Sequence, residues 1–248
     1  MSARVGILLG KELRQLRRAR GLVASSALLP LVVAVVVPLG LLGAMLAAGS
    51  GAGDRSELLR GAPLGLSELT PLRLDVLYIL PLFVAIGALA LPATIAVQTV
   101  AAERERRSLE LLVALPVTVR DIVLAKLLAL FALGAAVMLP LAIVDGALVV
   151  GLRLASPLYL PALLLLTLGA LGASIAIALL MALLASDSRT ASQITGAGLM
   201  LLTLLGYGVV FAVPEGPRPF ALAFTYAAVA AVATAACIRW LSFERYLG

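Results

Sequence analysis

The stretch LYLPALLLLTLGALGASIAIALLMALLA, residues Leu158–Ala185, contains no charged residue and is apolar along almost its whole length. The hydrocarbon core of a bilayer is about 30 Å thick, so a helix needs about 20 mostly apolar residues to cross it. A backbone amide without a partner in lipid costs several kcal/mol, so a segment of this kind must be helical. The stretch therefore predicts a transmembrane helix.

The whole chain has a similar composition. Its 248 residues are 62% hydrophobic and 13% charged, with a mean hydropathy of +1.13. A soluble domain is about 45–50% apolar and about 25% charged, so the composition excludes a soluble protein. There is no histidine and a single cysteine, Cys237. Histidine-based catalytic and metal sites, intrachain disulfides and cysteine-ligated clusters are thereby excluded. We expect a membrane protein without a metal and without catalytic residues.

Five further runs are long and apolar enough to cross a bilayer. The predicted fold class is an all-α polytopic membrane protein with an N-terminal amphipathic helix over residues 1–21. Its single transmembrane domain, residues 1–248, has spans at 22–48, 76–100, 122–152, 158–185, 194–213 and 220–241. Prolines that membrane helices accept as kinks lie inside these runs at Pro30, Pro38, Pro81, Pro92 and Pro140. Two small-residue patterns in the fourth run, Gly169-x-x-x-Ala173 and Gly172-x-x-x-Ala176, are compatible with close helix packing.

The distribution of basic residues predicts the orientation. The chain has 19 Lys and Arg against 13 Asp and Glu, a net charge of +6. Cytoplasmic loops of membrane proteins carry an excess of Lys and Arg. With the N-terminus in the cytoplasm, fourteen of the nineteen basic residues fall inside, and five, Arg218 among them, fall outside. We therefore expect both termini in the cytoplasm, and we interpret the positive charge as a topology signal and not as a nucleic-acid surface.

Residues 1–21 are too charged to span a membrane. Apolar residues recur there at helical spacing, and basic residues lie largely on other faces: Val5, Leu8, Leu9, Leu13 and Leu16 against Lys11, Arg14, Arg17 and Arg18. This pattern predicts an amphipathic helix in the cytoplasmic interface, with its basic residues toward anionic headgroups and membrane lipid as a partner; a frayed basic tail is the alternative. The segment GILLGK, Gly6–Lys11, has three residues between its glycines instead of four, and Glu12 follows where a phosphate loop needs Ser or Thr. We expect no nucleotide site in this chain.

The loop after the second span, residues 101–121, is the most informative segment. Five consecutive charged residues, Glu103–Arg107, stand at the membrane exit. A short helix, Ser108–Leu115, is predicted to end before Pro116, because proline disfavours helical geometry in the preceding residue. Thr118 and Asp121 form a start signal for the third span. This helix–break–helix element is suited to transmitting force from a cytoplasmic partner. A solvated loop with inside-positive charges is the alternative.

Asp145 is the one acidic residue inside a predicted span. An ionisable residue in a membrane helix is by default a candidate functional group, here a possible intramembrane polar site on an ion or proton path. Its position, five residues before Val150, also fits a carboxylate close to the outer interface, where helix ends are wet. Both interpretations stay open from the sequence.

The loop of residues 101–121 resembles a motif of the type-2 (export) class of ABC transporter permease subunits. The motif is acidic–x–acidic–Arg–x–Ser/Thr–Leu–Glu–x–Leu–Leu, followed by Pro–Val. Its matching residues are Glu103, Glu105, Arg106, Ser108, Leu109, Glu110, Leu112, Pro116 and Val117, with Lys126 further on. The N-terminal KELRQLRRARG is similar to the interfacial elbow helix of that family, and SDSRTASQ, Ser186–Gln193, to its second cytoplasmic loop. Arg107 departs from the pattern, where glycine is frequent.

The resemblance implies a permease subunit without an ATPase of its own. Two permease subunits, identical or different, would form a translocation path in the inner (cytoplasmic) membrane above two ATP-binding subunits, which would hold ATP and magnesium. The helix around Ser108–Leu115 would be the coupling helix, with the motif residues and Arg104 docking the ATPase. Arg189 would lie at a second contact, and Lys11, Arg14, Arg17 and Arg18 would line the adjacent interface.

A secondary transporter or channel and a membrane enzyme are the two alternatives to a permease subunit. A secondary transporter or channel that works without ATP normally shows internal repeats and midplane charges. No convincing repeat relates residues 1–120 to 121–248. A polytopic membrane enzyme would need paired intramembrane acids or a Ser–Lys pair, and the predicted spans offer only Asp145 as an acid.

Overall fold

The computed structural model describes residues 3–18, 20–47, 75–105, 119–185, 187–214 and 217–240. Within these ranges the regular structure is helical, with no strand. The N-terminal helix is Ala3–Arg18. Span 1 consists of Arg20–Leu31, a π-helical segment Val32–Val36, and Val37–Ala47, and span 2 is Leu80–Glu105, preceded by a π-helical turn Asp75–Ile79. Spans 3 to 6 are the helices Val119–Gly151, Tyr159–Leu184, Ser188–Ala212 and Arg218–Trp240. Within the described residues, six helical segments are long and apolar enough to cross a membrane, which confirms the predicted all-α polytopic membrane fold.

Spans 2 and 4 form the centre of the bundle. Most of their side chains are buried, whereas most side chains of spans 1, 3, 5 and 6 are not. Span 4 contacts spans 2, 3, 5 and 6, and span 1 packs against span 2. The hydroxyl of Ser174 in span 4 donates a hydrogen bond to the carbonyl of Leu89 in span 2. The two central helices are thus held together by a buried polar contact as well as by apolar packing.

Small residues allow spans 4 and 6 to lie close together. A Cβ atom at Gly169 would lie 2.8 Å from the carbonyl oxygen of Ala223, and one at Gly172 would lie 3.3 Å from the Cβ of Ala230. Further along the same contact, the Sγ of Cys237 lies 3.6 Å from the carbonyl oxygen of Ala176. The small-residue patterns of span 4 therefore mark a real helix–helix contact, as such patterns do in other membrane bundles.

Span 1 contains a widened turn between two prolines. The backbone N–H of Val37 bonds to the carbonyl of Val32, five residues earlier, which is the hydrogen bond of a π-helix. Ala34, inside this turn, is fully buried, and a Cβ atom at Gly87 of span 2 would lie only 2.9 Å from its Cβ. The predicted disturbance near Pro30 and Pro38 thus takes the form of a wide turn, while Pro92 and Pro140 lie inside continuous helices.

Span 3 ends in a Schellman motif. The N–H of Arg153 donates to the carbonyl of Val150, and the N–H of Leu154 donates to that of Val149, both at 3.0 Å. Arg153 has a φ of 58°, the left-handed conformation that this motif requires and that glycine usually supplies. The motif satisfies two of the last carbonyls of the helix and turns the chain toward span 4.

Candidate functional site at the helix ends next to the loop of residues 101–121

The predicted partner-docking segment connects spans 2 and 3. The helix of span 2 continues to Glu105, so the backbone of Glu103, Arg104 and Glu105 extends the central helix of the bundle. The next described residue is Val119, where the helix of span 3 begins. The remaining predicted docking residues of this segment lie outside the described residues, and their role stays a prediction: Arg106, Ser108, Leu109, Glu110, Leu112, Pro116 and Val117.

The N-terminal helix packs against span 3. Its buried side chains, Val5, Leu8, Glu12 and Leu16, recur along one face. Leu16 joins an apolar cluster with side chains of spans 2, 3 and 4. Leu13, predicted for the apolar face, is instead 37% exposed. The apolar face therefore contacts the protein itself, and the position of this helix in the membrane interface stays a prediction.

Glu12 forms a buried ion pair with Lys126 of span 3. The Nζ of Lys126 lies 3.4 Å from the Oε2 of Glu12, and the two side chains are 5% and 11% exposed. A buried ammonium or carboxylate without a partner is costly, so each charge permits the burial of the other. This contact was not predicted from the sequence. A signal was present, because Glu12 is the only acidic residue among residues 1–21 and Lys126 lies inside an apolar run.

The basic residues of the N-terminal helix point away from this contact. Arg14, Arg17 and Arg18 are exposed, and Lys11 is half-buried. The Nε of Arg14 donates to the carbonyl of Gly10 at 3.2 Å, so this side chain lies along its own helix. The result is a positively charged strip on the outer surface of a helix whose opposite face is fixed to span 3.

The turn between spans 4 and 5 brings Arg189 to the same end of the bundle. Asp187 caps the helix of span 5, because its Oδ1 accepts a hydrogen bond of 2.7 Å from the N–H of Thr190 and its Oδ2 one of 2.8 Å from the Thr190 hydroxyl. Ala185 and Ala191, on either side of this cap, form a buried cluster with Val97 of span 2. Arg189 is exposed in the first turn, beside the helix that leads to Glu105.

Asp145 lies toward the other end of span 3. Its side chain is fully buried, and neither carboxylate oxygen has a hydrogen-bond partner among the described residues. Ala142 and Val149, one turn before and after it, belong to the central apolar core. Within the described residues the side chain therefore faces the helix packing, and both interpretations drawn from the sequence, a functional polar site and a carboxylate close to the outer interface, stay predictions.

Arg218 was predicted as an outer-loop base, but the structure buries it at the start of span 6. Its Cζ lies 3.7 Å from the ring centroid of Tyr78, and it donates hydrogen bonds of 3.1 and 3.0 Å to the carbonyl of Val213. A further hydrogen bond of 2.9 Å reaches the Tyr78 hydroxyl. The side chain thus joins the beginnings of spans 2 and 6 and the end of span 5. Sequence position alone suggested only a topology signal.

Fold and site together define a polytopic helical membrane protein whose charged residues concentrate at one end of its spans. Within the described residues, no group of three or more Cys, Asp or Glu side chains is placed to hold a metal ion. The chain belongs to the ABC-2 family of transporters, because the family model described as ABC-2 family transporter protein matches residues 7–239. It is thus an ABC permease, a membrane component of a kind that generally works with an ATP-binding subunit. Searches of curated proteins and of solved structures found no match.

Proposed function

We propose that the chain is the membrane-spanning permease subunit of an ATP-driven exporter and that a separate ATP-binding subunit docks on the loop of residues 101–121. Family membership, together with the position of this loop between the most buried helix and span 3, carries the proposal. In the proposed complex, Glu103, Glu105 and Glu110 contribute charges to the docking surface, and Arg189 forms a second contact with the ATP-binding subunit.

The packing of the described helices supports a mechanical connection between partner and bundle. Span 2 lies at the centre and runs without interruption to Glu105. Span 3 begins at Val119 and, about two turns later, holds the N-terminal helix through Lys126 and Glu12. A partner that displaces the loop therefore displaces the central helix, span 3 and the N-terminal helix together. ATP drives this change only if the partner has different affinities for the two conformations of the permease.

The complex we propose has two permease subunits and two ATP-binding subunits in the inner membrane, with both permease termini in the cytoplasm. ATP and magnesium bind the partner subunits. The basic strip of Lys11, Arg14, Arg17 and Arg18 lies beside the docked partner, because the N-terminal helix is fixed to the same end of span 3 as the loop.

The decisive experiment is co-purification of the full chain with its ATP-binding subunit in a mild detergent, followed by measurement of ATP hydrolysis. The unaltered chain is expected to retain a subunit that hydrolyses ATP. The triple variant Glu103→Ala, Glu105→Ala and Glu110→Ala is expected to insert normally into the membrane but to lose most of this subunit.

Glu57→Ala is the matched control, because it removes an acidic residue from a loop predicted on the opposite side of the membrane. This variant should retain the partner fully. Recovery of the partner with the triple variant at the unaltered level would contradict the assigned docking surface. Absence of any ATP-hydrolysing subunit from the unaltered preparation would contradict the proposed function as a whole.

One observation favours a second candidate, an ATP-independent secondary transporter or channel. Asp145 is a fully buried acid in a span and has no hydrogen-bond partner among the described residues, which is a feature of ion pathways. Transport into vesicles that contain no ATP, driven by an ion gradient and lost in Asp145→Asn, would establish this alternative. The ATP-driven permease predicts no transport under those conditions.

A further inference from the structure

A large apolar cavity lies between the N-terminal helix, span 1 and span 3. Its volume is about 670 Å³, within the range of small-molecule sites, which is about 300–1,000 Å³. Its lining is formed by Gly10, Leu13, Arg14, Leu16, Arg17, Ala24, Ala27, Ala132, Leu133 and Ala136. The walls are therefore small and apolar side chains, and the two charged members both come from the N-terminal helix.

The charge at this cavity has one sign. Arg14 and Arg17 are exposed, and among the described residues no acidic side chain is part of the lining. The single acid of the N-terminal helix, Glu12, is on another face, where it is paired with Lys126. The two guanidinium groups at the rim thus lack a carboxylate of the cavity to neutralise them, and guanidinium is the side-chain group best suited to bind phosphate.

The cavity is also open toward the side of the bundle. Ala24, Ala132 and Ala136 are exposed although they line it. Next to it on span 1, Leu28 and Leu29 are 64% and 56% exposed. Exposed leucines on a membrane span face hydrocarbon, so the cavity opens to the acyl chains of the bilayer while its basic rim stands near the helix end that carries the cytoplasmic loop.

We propose that this cavity binds one anionic phospholipid of the cytoplasmic leaflet, with an acyl chain between spans 1 and 3 and the phosphate on Arg14 and Arg17. A basic rim above an apolar slot matches both parts of such a lipid, whereas a soluble anion would match only the rim. The lipid would fill the space under the N-terminal helix that Leu16 and the Glu12–Lys126 pair leave open. Arg14 and Arg17 also belong to the basic strip that we place beside the docked partner, so the lipid site adjoins that interface, and the labelling is measured on the chain without the partner.

The experiment uses the full chain in nanodiscs that contain a photoreactive phosphatidylglycerol, or a photoreactive phosphatidylcholine with the same acyl chains. After irradiation, mass spectrometry of peptides locates the labelled residues. We expect phosphatidylglycerol to label the N-terminal helix and the adjoining parts of spans 1 and 3 about thirtyfold more than phosphatidylcholine does. Each of the two basic residues contributes about 1 kcal/mol with anionic lipid, and about 1.4 kcal/mol corresponds to a factor of ten. Excess inorganic phosphate should not reduce the labelling.

Two kinds of variant test the two halves of the site. Arg14→Gln with Arg17→Gln should lower phosphatidylglycerol labelling to the phosphatidylcholine level, and Arg189→Gln, at the same end of the bundle, should not. Ala136→Phe fills the open side of the cavity without entering the core and should lower labelling by both lipids. Ala235→Phe, on an exposed face of span 6, is its control. Each variant is first checked for a monodisperse preparation with an unchanged melting temperature.

Equal labelling by the two lipids, or labelling of Arg14→Gln with Arg17→Gln at the level of the unaltered chain, would overturn the proposal. Competition by inorganic phosphate would show an anion site without a lipid, and crosslinks between two copies of the chain at this place would show a protein interface. Either result also overturns it.

Discussion

Lys126 and Glu12 are 114 positions apart in the chain, yet they form a buried ion pair that fixes the N-terminal helix to the beginning of span 3. The pair connects a helix of mixed charge with a helix that must cross hydrocarbon. It lies about two turns beyond the start of span 3, close to the loop on which we place the partner. The contact therefore makes the N-terminal helix and the beginning of span 3 one packed unit.

Removal of one member of this pair should destabilise the protein. Glu12→Ala leaves the Lys126 ammonium buried without its carboxylate, and we expect a loss of about 3 kcal/mol in the free energy of unfolding. Glu12→Leu with Lys126→Met should lose much less, because apolar side chains of similar size suit a buried site. Thermal melting in detergent measures the stability of the single and the double variant. Gln15→Ala, at an exposed position of the same helix, is the control. A double variant as unstable as Glu12→Ala would contradict this interpretation.

The contact between spans 4 and 6 should not accept even one additional methyl group. Gly169→Ala places a Cβ atom 2.8 Å from the backbone oxygen of Ala223, so the two helices must move apart. We expect a cost of about 1–3 kcal/mol, measured as a lower melting temperature. Gly208→Ala in span 5 is the matched control, since its added Cβ meets no atom within 4 Å and alanine is the better helix former. Equal melting temperatures for the two variants would show that the contact is loose.

Asp145→Asn should leave the protein as stable as before, or more stable. The carboxylate is fully buried and has no hydrogen-bond partner among the described residues, so the neutral amide of nearly the same shape removes a desolvation cost without removing a known contact. The measurement is the melting temperature. Asp187→Asn at the exposed cap of span 5 is the comparison, because this substitution weakens the hydrogen bonds that the carboxylate accepts from Thr190. A marked fall in the melting temperature of Asp145→Asn would indicate an ion or partner at this position.

The buried arginine at the start of span 6 should not be replaceable by lysine. Arg218 stacks on the ring of Tyr78 and donates to the Val213 carbonyl through two nitrogens, a geometry that an ammonium group cannot reproduce. We expect Arg218→Lys to cost about 1–2 kcal/mol and Arg153→Lys, at an exposed position, to cost almost nothing. The measurement is the melting temperature of each variant. An unchanged melting temperature of Arg218→Lys would show that the positive charge alone accounts for the contribution of this side chain to stability.

The spans were predictable because the bilayer imposes a simple rule of length and apolarity, which Leu158–Ala185 satisfies without ambiguity. The close contact at Gly169 was predictable for a related reason, since small residues at a spacing of four mark helix contacts. The Glu12–Lys126 pair was not, because a contact over 114 positions depends on which helix faces pack together. The burial of the Asp145 carboxylate was not predictable for the same reason. Its distance from the end of the span is visible in the sequence, but the face on which it lies is not.

The wide turn of span 1 lets this span contain one residue more than a straight α-helix that buries the same face. Its buried residues, Pro30, Ala34, Pro38 and Leu42, recur at every fourth position, whereas in an α-helix such a row drifts by about 40° with each step. The additional residue in Val32–Val36 absorbs part of this drift and keeps Leu42 in the core. Deletion of one valine would close the turn into ordinary α-helix and leave Val37–Ala47 nearly unrotated relative to the first half, because the widened turn is an α-helix with one residue inserted. A deletion outside the turn would instead rotate the rest of the span by about 100°. The turn is thus the place where this span can lose a residue without moving Leu42 out of the core.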